Sequence, residues 1–306
     1  MVDLAAALTI GVCAHNEEKN IADLLKNITT QNVSPNFEVL LVCSGCVDKT
    51  VEIAQTFAEK DPRIKVLVET ERLGKPSAVN KILANATGSA IFFISADTLP
   101  HKECFSRLLT RLASSEKIGL VCGKPVPLNT GSSQIDKMTR LLWGFHDRVF
   151  CELSQTGQAK HASEVFVIRK DATVPLPLDT VNDDAYLAVM AKKAGWAVDY
   201  EQTAIVSMVG PQNLRDYLVQ RQRIIFGHFQ IKKKTGENTQ YFLFLLFNQP
   251  KRAFRLAGWL AANGPFRALP IFLFIEALLT FLAIFENASG RSHVLWKTSH
   301  STKKLN

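Results

Sequence analysis

A chain of 306 residues with 47% hydrophobic and 21% charged residues has the composition of a folded protein with one large core or two small ones, which excludes disorder as the default. Its formal net charge of +8 points to anionic partners, whether nucleic acid, a phosphorylated small molecule or a membrane surface, without choosing among them. Six cysteines, most of them in apolar strand-like runs, exclude a disulfide framework and read as reduced thiols of a cytosol-facing protein. Cys43 and Cys46 form a C-x-x-C, but no second pair or histidine cluster accompanies it, so neither zinc nor redox use is expected.

The opening run MVDLAAALTIGVCAHNEE has no basic start and turns polar after a short strand-like stretch, so no secretory signal is expected. From there to residue 100, the β-type runs LTIGVCA, EVLLVCS, RIKVLVE and AIFFISA alternate with the helical patterns NIADLLKNITTQ, TVEIAQTFAEK and SAVNKILANAT. Four strands interleaved with three helices predict a parallel sheet covered on both faces. Sites in such sheets form at the carboxyl ends of the strands. Those ends read AHNEE, SGCVDKT, ETERLGKPSAVN and SADTLP, polar and rich in small residues.

IGLVCGKPVP then predicts another strand, and MTRLLWGFHDRVFCEL an amphipathic helix with Trp143 and His146 one turn apart. HASEVFVIRKDAT reads as a strand carrying Glu164 near its start, followed by a VPLPL turn. VNDDAYLAVMAKKAGW predicts an amphipathic helix with Leu187, Met190, Ala191 and Ala194 at helical spacing and Gly195 as its stop. Asp183 and Asp184 head that helix, where acids face the positive dipole end and can cap free N–H groups; a cap and a chemical role are compatible, and both stay open. After the apolar AIVSMV comes the basic stretch NLRDYLVQRQRIIFGHFQIKKK. Residues 269–285 are apolar except for Glu276 and Thr280, a little short of the ~20 residues that span a bilayer. Such a run is a short or tilted span, an interfacial helix or a buried helix, and Glu276 disfavours a deep single span.

In this order the motifs resemble the family 2 glycosyltransferases, inverting enzymes of GT-A-type fold that use nucleotide-diphosphate sugars. The resemblance covers about residues 8–227 and implies a mostly parallel α/β sheet flanked by helices, followed by C-terminal apolar helices. It also implies a catalytic domain over residues 1–235 and a hydrophobic helical, membrane-associated region over 236–306.

The resemblance assigns roles residue by residue. AHNEEKNI matches the family's first strand end, with Ala14, Asn16 and Glu17 toward the nucleoside. SGCVDKT is similar to an Asp-Gly-Ser-x-Asp-x-Thr element, with Ser44 where an acid is usual and Asp48 retained. GKPSAVN matches Gly-Lys-x-x-Ala-x-Asn, with Gly74 giving close backbone approach and Lys75 a charge for diphosphate. SADTLP stands at the Asp-x-Asp position, so that Asp97 is the implied ligand of Mg²⁺ or Mn²⁺ and Ser95 replaces the first acid. VNDDAYL has the spacing of Glu-Asp-x-x-Leu, which makes Asp184 the implied base and Asp183 its supporting neighbour. QRQRIIFG resembles Gln-x-x-Arg-Trp with Ile224 at the Trp, implying a non-processive transferase in which Arg221 and Arg223 hold diphosphate. Trp143, His146 and Glu164 fall on the acceptor side.

The implied function is sugar transfer from a nucleotide-diphosphate sugar to a hydroxyl, on a lipid or membrane-borne glycan, at the cytoplasmic side of a membrane. A nucleotidyltransferase of similar fold would want a Gly-rich Arg/Lys loop after the first strand, where AHNEEKN offers acids. A nucleic-acid-binding protein would interleave aromatic and basic residues on a sheet face, but the charge here gathers at residues 215–234, so no nucleic-acid partner is expected. Adjacent acids cannot flank a glycosidic bond at the ~5–9.5 Å a glycosidase requires.

Overall fold

A computed structural model describes residues 7–33, 36–290 and 293. Strands β1 (Leu8–Ala14), β2 (Phe37–Ser44), β3 (Ile64–Glu69) and β4 (Ala90–Ser95) run parallel, joined by helices α1 (Ile21–Thr29), α2 (Thr50–Lys60) and α3 (Lys75–Asn85). This is the predicted unit of four strands and three helices. Every residue of β2 is buried, as in a strand covered on both faces, which is why the run carries no polar alternation. The two-residue period still sorts it: Leu40 and Val42 join one apolar core, Val39 and Leu41 the other.

After β4 come β5 (Thr98–Pro100), α4 (Cys104–Ala113), β6 (Ile118–Pro127), α5 (Gln134–Gln155) and β7 (Val165–Arg169), then α6 (Asp183–Lys193) and β8 (Ala197–Met208). The sheet order is β3-β2-β1-β4-β7-β6-β8-β5, with β7 antiparallel to both β4 and β6. SADTLP, read as the polar end of a strand, also contains β5, which pairs with the end of β8. Three residues are too few to show a period.

The double-acid helix differs from its expected amphipathic form. Ala185, Tyr186, Leu187, Ala188, Val189 and Ala191 are all buried, so α6 is packed around most of its circumference. A helix covered on every side has no polar stripe to reveal.

The chain ends in α7 (Leu214–Thr235), α8 (Phe242–Asn248), α9 (Pro250–Asn263) and α10 (Ala268–Ser289). A third core draws Met138 and Leu141 of α5 and Tyr217 and Ile225 of α7 together with Phe244, Leu260, Phe272, Ile275 and Leu279 of α8 to α10. The residues on either side of position 235 therefore share one apolar cluster. On α10 the inward stripe is Ala268, Phe272, Ile275, Leu279 and Ala283, at helical spacing. Its other face leaves Ile271, Phe274, Leu278, Phe281 and Phe285 exposed.

Candidate functional site

The loops at the carboxyl ends of β1 and β2 are tied to each other. His15 Nδ1 lies 2.7 Å from the Ser44 carbonyl, and the Glu17 amide donates to Thr50 Oγ1 at 2.7 Å. Asp48 accepts from the Thr50 amide and hydroxyl at 3.0 and 2.6 Å and from the Glu18 amide at 3.1 Å. Asn16 takes φ 55 and accepts from the Val47 amide at 2.9 Å. Asp48 and Asn16, expected at the donor, thus hold the loops together and do not line the cavity beside them.

That cavity, about 790 Å³, is walled by Ala14, Glu17, Ser44, Gly74, Lys75, Ser95, Asp97, Glu164, Asp183, Asp184 and Arg223, and also by Trp143 and His146. Residues from eight separate stretches of sequence meet there. The placement has local causes. Gly74 caps α3 at φ 91, a conformation that favours glycine, and so starts the helix on Lys75 at the rim. Asn80 of the same motif accepts from the Leu176 amide at 2.7 Å and donates to its carbonyl at 2.8 Å, which pins the segment leading to Asp183. A Cβ at Gly227 would meet the Asn182 side chain at 2.4 Å, so only glycine lets α7 approach the start of α6 this closely. Asn182 Nδ2 then donates to the Ile224 carbonyl at 2.9 Å and locks the approach.

Of the two acids heading α6, only Asp184 bonds a first-turn amide, and the Asn182 side chain makes no cap. Asp183 Oδ2 pairs with Lys75 Nζ at 3.1 Å, and Asp184 Oδ1 accepts only from the adjacent Ala185 amide at 2.7 Å. Burial and then the neighbouring Asp183 push Asp184 up to about 8, so its carboxyl holds a proton far more tightly than an ordinary aspartate. Burial works against the charge on Lys75, but Asp183 and Glu164 outweigh it and hold the ammonium firmly protonated. Arg223 is pushed down by burial while Asp183, Glu164, Asp184 and Asp97 all favour its charge.

Glu164 stands where the register of the sheet puts it. Ile94 faces Val165, and one step further the Ser95 amide donates to the Glu164 carbonyl at 3.1 Å while Ser95 Oγ donates to Glu164 Oε2 at 2.5 Å. The serine in the first Asp-x-Asp position therefore seats a carboxylate that comes from β7. Burial and then Glu164 raise Asp97 to about 6. Glu164, expected on the acceptor side, is also a neighbour of Asp97.

Arg221 also departs from expectation. Its guanidinium is held by Glu276 of α10 through Nε–Oε1 at 2.8 Å and Nη2–Oε2 at 2.6 Å, which occupies the fork expected to take diphosphate. Glu276, read as an obstacle to membrane insertion, is neutralised by that partner. Arg221→Ala is expected to cost about 3–5 kcal/mol by stranding a half-buried carboxylate, and Arg221→Met combined with Glu276→Leu to restore most of it, measured by thermal unfolding.

His161, His228 and Tyr217 also line the cavity and were not singled out from sequence. His161 Nδ1 lies 3.7 Å from Asp184 Oδ2, and burial lowers this imidazole to about 4, so the contact joins a neutral ring to the acid. The rings of His146 and Phe150 stack at 3.9 Å, and His161 and His228 meet at 5.3 Å. No periodic pattern marks a histidine that becomes a neighbour only through folding.

Solved structures share the fold. The mannosyltransferase PcManGT from Pyrobaculum calidifontis, in complex with GDP-Man and Mn²⁺, is 21% identical with a TM-score of 0.67 over 93% of this chain and 87% of that one. S. aureus TarS residues 1–349 are 15% identical with a TM-score of 0.53 over 93% and 92%. This is the expected GT-A-type architecture. Among curated proteins, the poly-beta-1,6-N-acetyl-D-glucosamine synthase of Staphylococcus aureus (strain COL) is 24% identical over 237 residues, 75% of this chain and 56% of that protein. The chain thus spans about half the length of that relative. The sequence profile described as Glycosyl transferase family 2 matches residues 9–172, more than half of the chain, and the protein belongs to that family.

Proposed function

We propose that the protein transfers a sugar from a nucleotide-diphosphate donor to an acceptor hydroxyl with inversion, one sugar at a time. The observation that carries this reading is the meeting of Asp184, the Lys75–Asp183 pair, Asp97 beside Glu164, and Arg223 in one cavity at the carboxyl ends of the strands. Asp184 takes the acceptor proton. Lys75 and Arg223 face the departing diphosphate, and Ala14, Glu17 and Ser44 border the nucleoside. Ser44 Oγ is buried without a hydrogen-bond partner, as a group kept for a ligand would be. Ile224, in place of a stacking Trp, supports the non-processive reading.

The residues present fit Mg²⁺ or Mn²⁺. Asp97 and Glu164 offer hard oxygen ligands, and burial and then Glu164 raise the proton affinity of Asp97, a pair of acids that a cation between them would stabilise. Among the described residues no cluster of three or more His, Cys, Asp or Glu could hold a metal, so an ion there would need further oxygen ligands from the donor diphosphate or water. Bound there, the ion would offset the charge of the leaving diphosphate. The PcManGT complex contains Mn²⁺, which supports this choice.

Membrane attachment on the cytoplasmic face is supported by α10, a 22-residue helix apolar enough to cross a membrane by length and composition, and by six free thiols. Its packed inner stripe favours a helix lying in the interface. The full-length protein is expected to float with phosphatidylglycerol-containing vesicles; complete recovery as a soluble monomer without detergent would contradict attachment. For the catalytic reading, a panel of nucleotide sugars is screened for Mn²⁺-dependent thermal stabilisation, since a ligand of the folded state raises its melting temperature. Stabilisation by none of them would contradict the donor assignment.

A further inference from the structure

The cavity that holds the carboxylates is lined by two kinds of residue. Four polar atoms on residues that line the cavity are buried without a hydrogen-bond partner, His161 Nδ1, His146 Nδ1, Thr139 Oγ1 and Tyr217 Oη, and His161 Nδ1 lies 3.7 Å from Asp184 Oδ2. A buried polar atom is costly to leave unpaired, so four in one cavity mark where a hydroxylated ligand belongs. The lining from α8 and α10 is mainly aliphatic and aromatic, with Glu276 and Thr280 its polar members.

The mouth at that end is unusual in composition. Leu246, Leu273, Phe281 and Ile284 line the cavity and are also 37%, 49%, 69% and 46% exposed, so the cavity opens between them onto the outer face of α10. Around the opening that face carries Phe274, Leu278 and Phe285, likewise exposed. A water-soluble acceptor would gain nothing from an entrance of this kind, whereas a molecule with an oxygen-rich head and an aliphatic chain matches both ends of the passage.

We propose that the acceptor is an amphipathic lipid with a hydroxylated head, entering through the α8–α10 mouth so that its chain stays among Leu246, Leu273, Phe281 and Ile284 while its head reaches His161 and Asp184. The inference rests on the sugar-transfer reading above and names the acceptor class for that same site. His161 Nδ1 bonds the head beside the reacting hydroxyl. The hydroxyl proton passes to the Asp184 carboxylate as its oxygen bonds to the anomeric carbon. The bond from that carbon to the diphosphate oxygen breaks, and the nucleoside diphosphate leaves with the electron pair. The apolar face of α10 and its mouth then serve one purpose, presenting the active site to a lipid surface.

The test uses the full-length protein and methyl, octyl and dodecyl β-D-glucopyranoside below their micelle concentrations, titrated by calorimetry, with UDP and GDP titrated in parallel in the presence of Mn²⁺. Affinity is expected to rise with chain length by about two- to fourfold per methylene enclosed in the mouth. Phe281→Asp and Leu273→Asp, both at exposed positions, should flatten that dependence, while Phe274→Asp, equally exposed but outside the cavity, should leave it intact. His161→Phe should weaken all three glucosides by a similar factor. None of these changes should alter nucleotide binding. Equal affinity for methyl and dodecyl glucoside, or a chain-length dependence lost equally in Phe274→Asp, would overturn the proposal while bound nucleotide leaves the donor reading standing. If neither nucleotide binds, the donor reading falls and takes this one with it.

Discussion

Asp184→Asn is expected to lower sugar transfer about 10²–10⁴-fold while leaving nucleotide and Mn²⁺ affinity near the wild-type value, because an amide of the same shape cannot take the acceptor proton. The pH profile should carry the signature of the same group. With Asp184 raised to about 8, kcat/KM should climb with pH up to that value and level off above it, since only the carboxylate acts as base. Stability should move the other way. The folded state holds this proton between the unfolded value near 4 and about 8, so stability falls as pH rises through that window. Asn at 184 removes the dependence and should raise the melting temperature near pH 8, by about 2–4 °C per kcal/mol recovered. A helix cap predicts the reverse, a small loss of stability with activity intact. Activity profiles and melting curves of the two proteins at pH 6 and 8 decide between them, and Asp183→Asn measured alongside shows whether the base is its neighbour.

The parallel half of the sheet was legible because its strands are mostly apolar and separated by helices of the right period. LTIGVCA, EVLLVCS and AIFFISA can be little else, and once they are parallel their carboxyl ends must gather. Lys75 and Asp97 were legible for that reason, each lying beyond a strand whose direction was predictable, and Asp183 and Asp184 were legible as the head of a predicted helix. The resemblance to the family then supplied the roles proposed for them.

The residues misplaced or missed lie where contacts depend on long-range register. Glu164 reaches Ser95 only because β7 runs antiparallel beside β4, a pairing across 69 positions that no local pattern encodes. Arg221 looked free for diphosphate, since its partner Glu276 lies 55 residues away on a helix that sequence could not place against α7. Asp48 and Asn16 drew donor roles from their motif positions, but both spend their side chains on the β1 and β2 loops. His161 joins Asp184 across two elements and carries no signal of its own. In each case the residue type was right for chemistry and the missing information was which distant element would stand beside it.

The Asp97–Glu164 pair yields the second large effect. Glu164→Gln and Asp97→Asn are each expected to weaken Mn²⁺-dependent binding of UDP or GDP by about 10–100-fold, since each removes one of the two hard oxygen ligands the protein offers. Ser95→Ala should cost much less, because it removes only the hydroxyl on which Glu164 rests. Without metal the sign reverses. Burial and Glu164 hold Asp97 at about 6, so the metal-free protein loses stability as pH rises from about 4 toward that value, and Gln at 164 should flatten the loss and raise the metal-free melting temperature. A residue that merely supported the fold would lower stability and metal affinity together. Calorimetric titration of Mn²⁺ with nucleotide present, and melting curves at pH 5 and 7 without it, separate the two. Unchanged Mn²⁺ affinity in Glu164→Gln would leave Asp97 as the protein's own contribution to the ion and return Glu164 to the acceptor side.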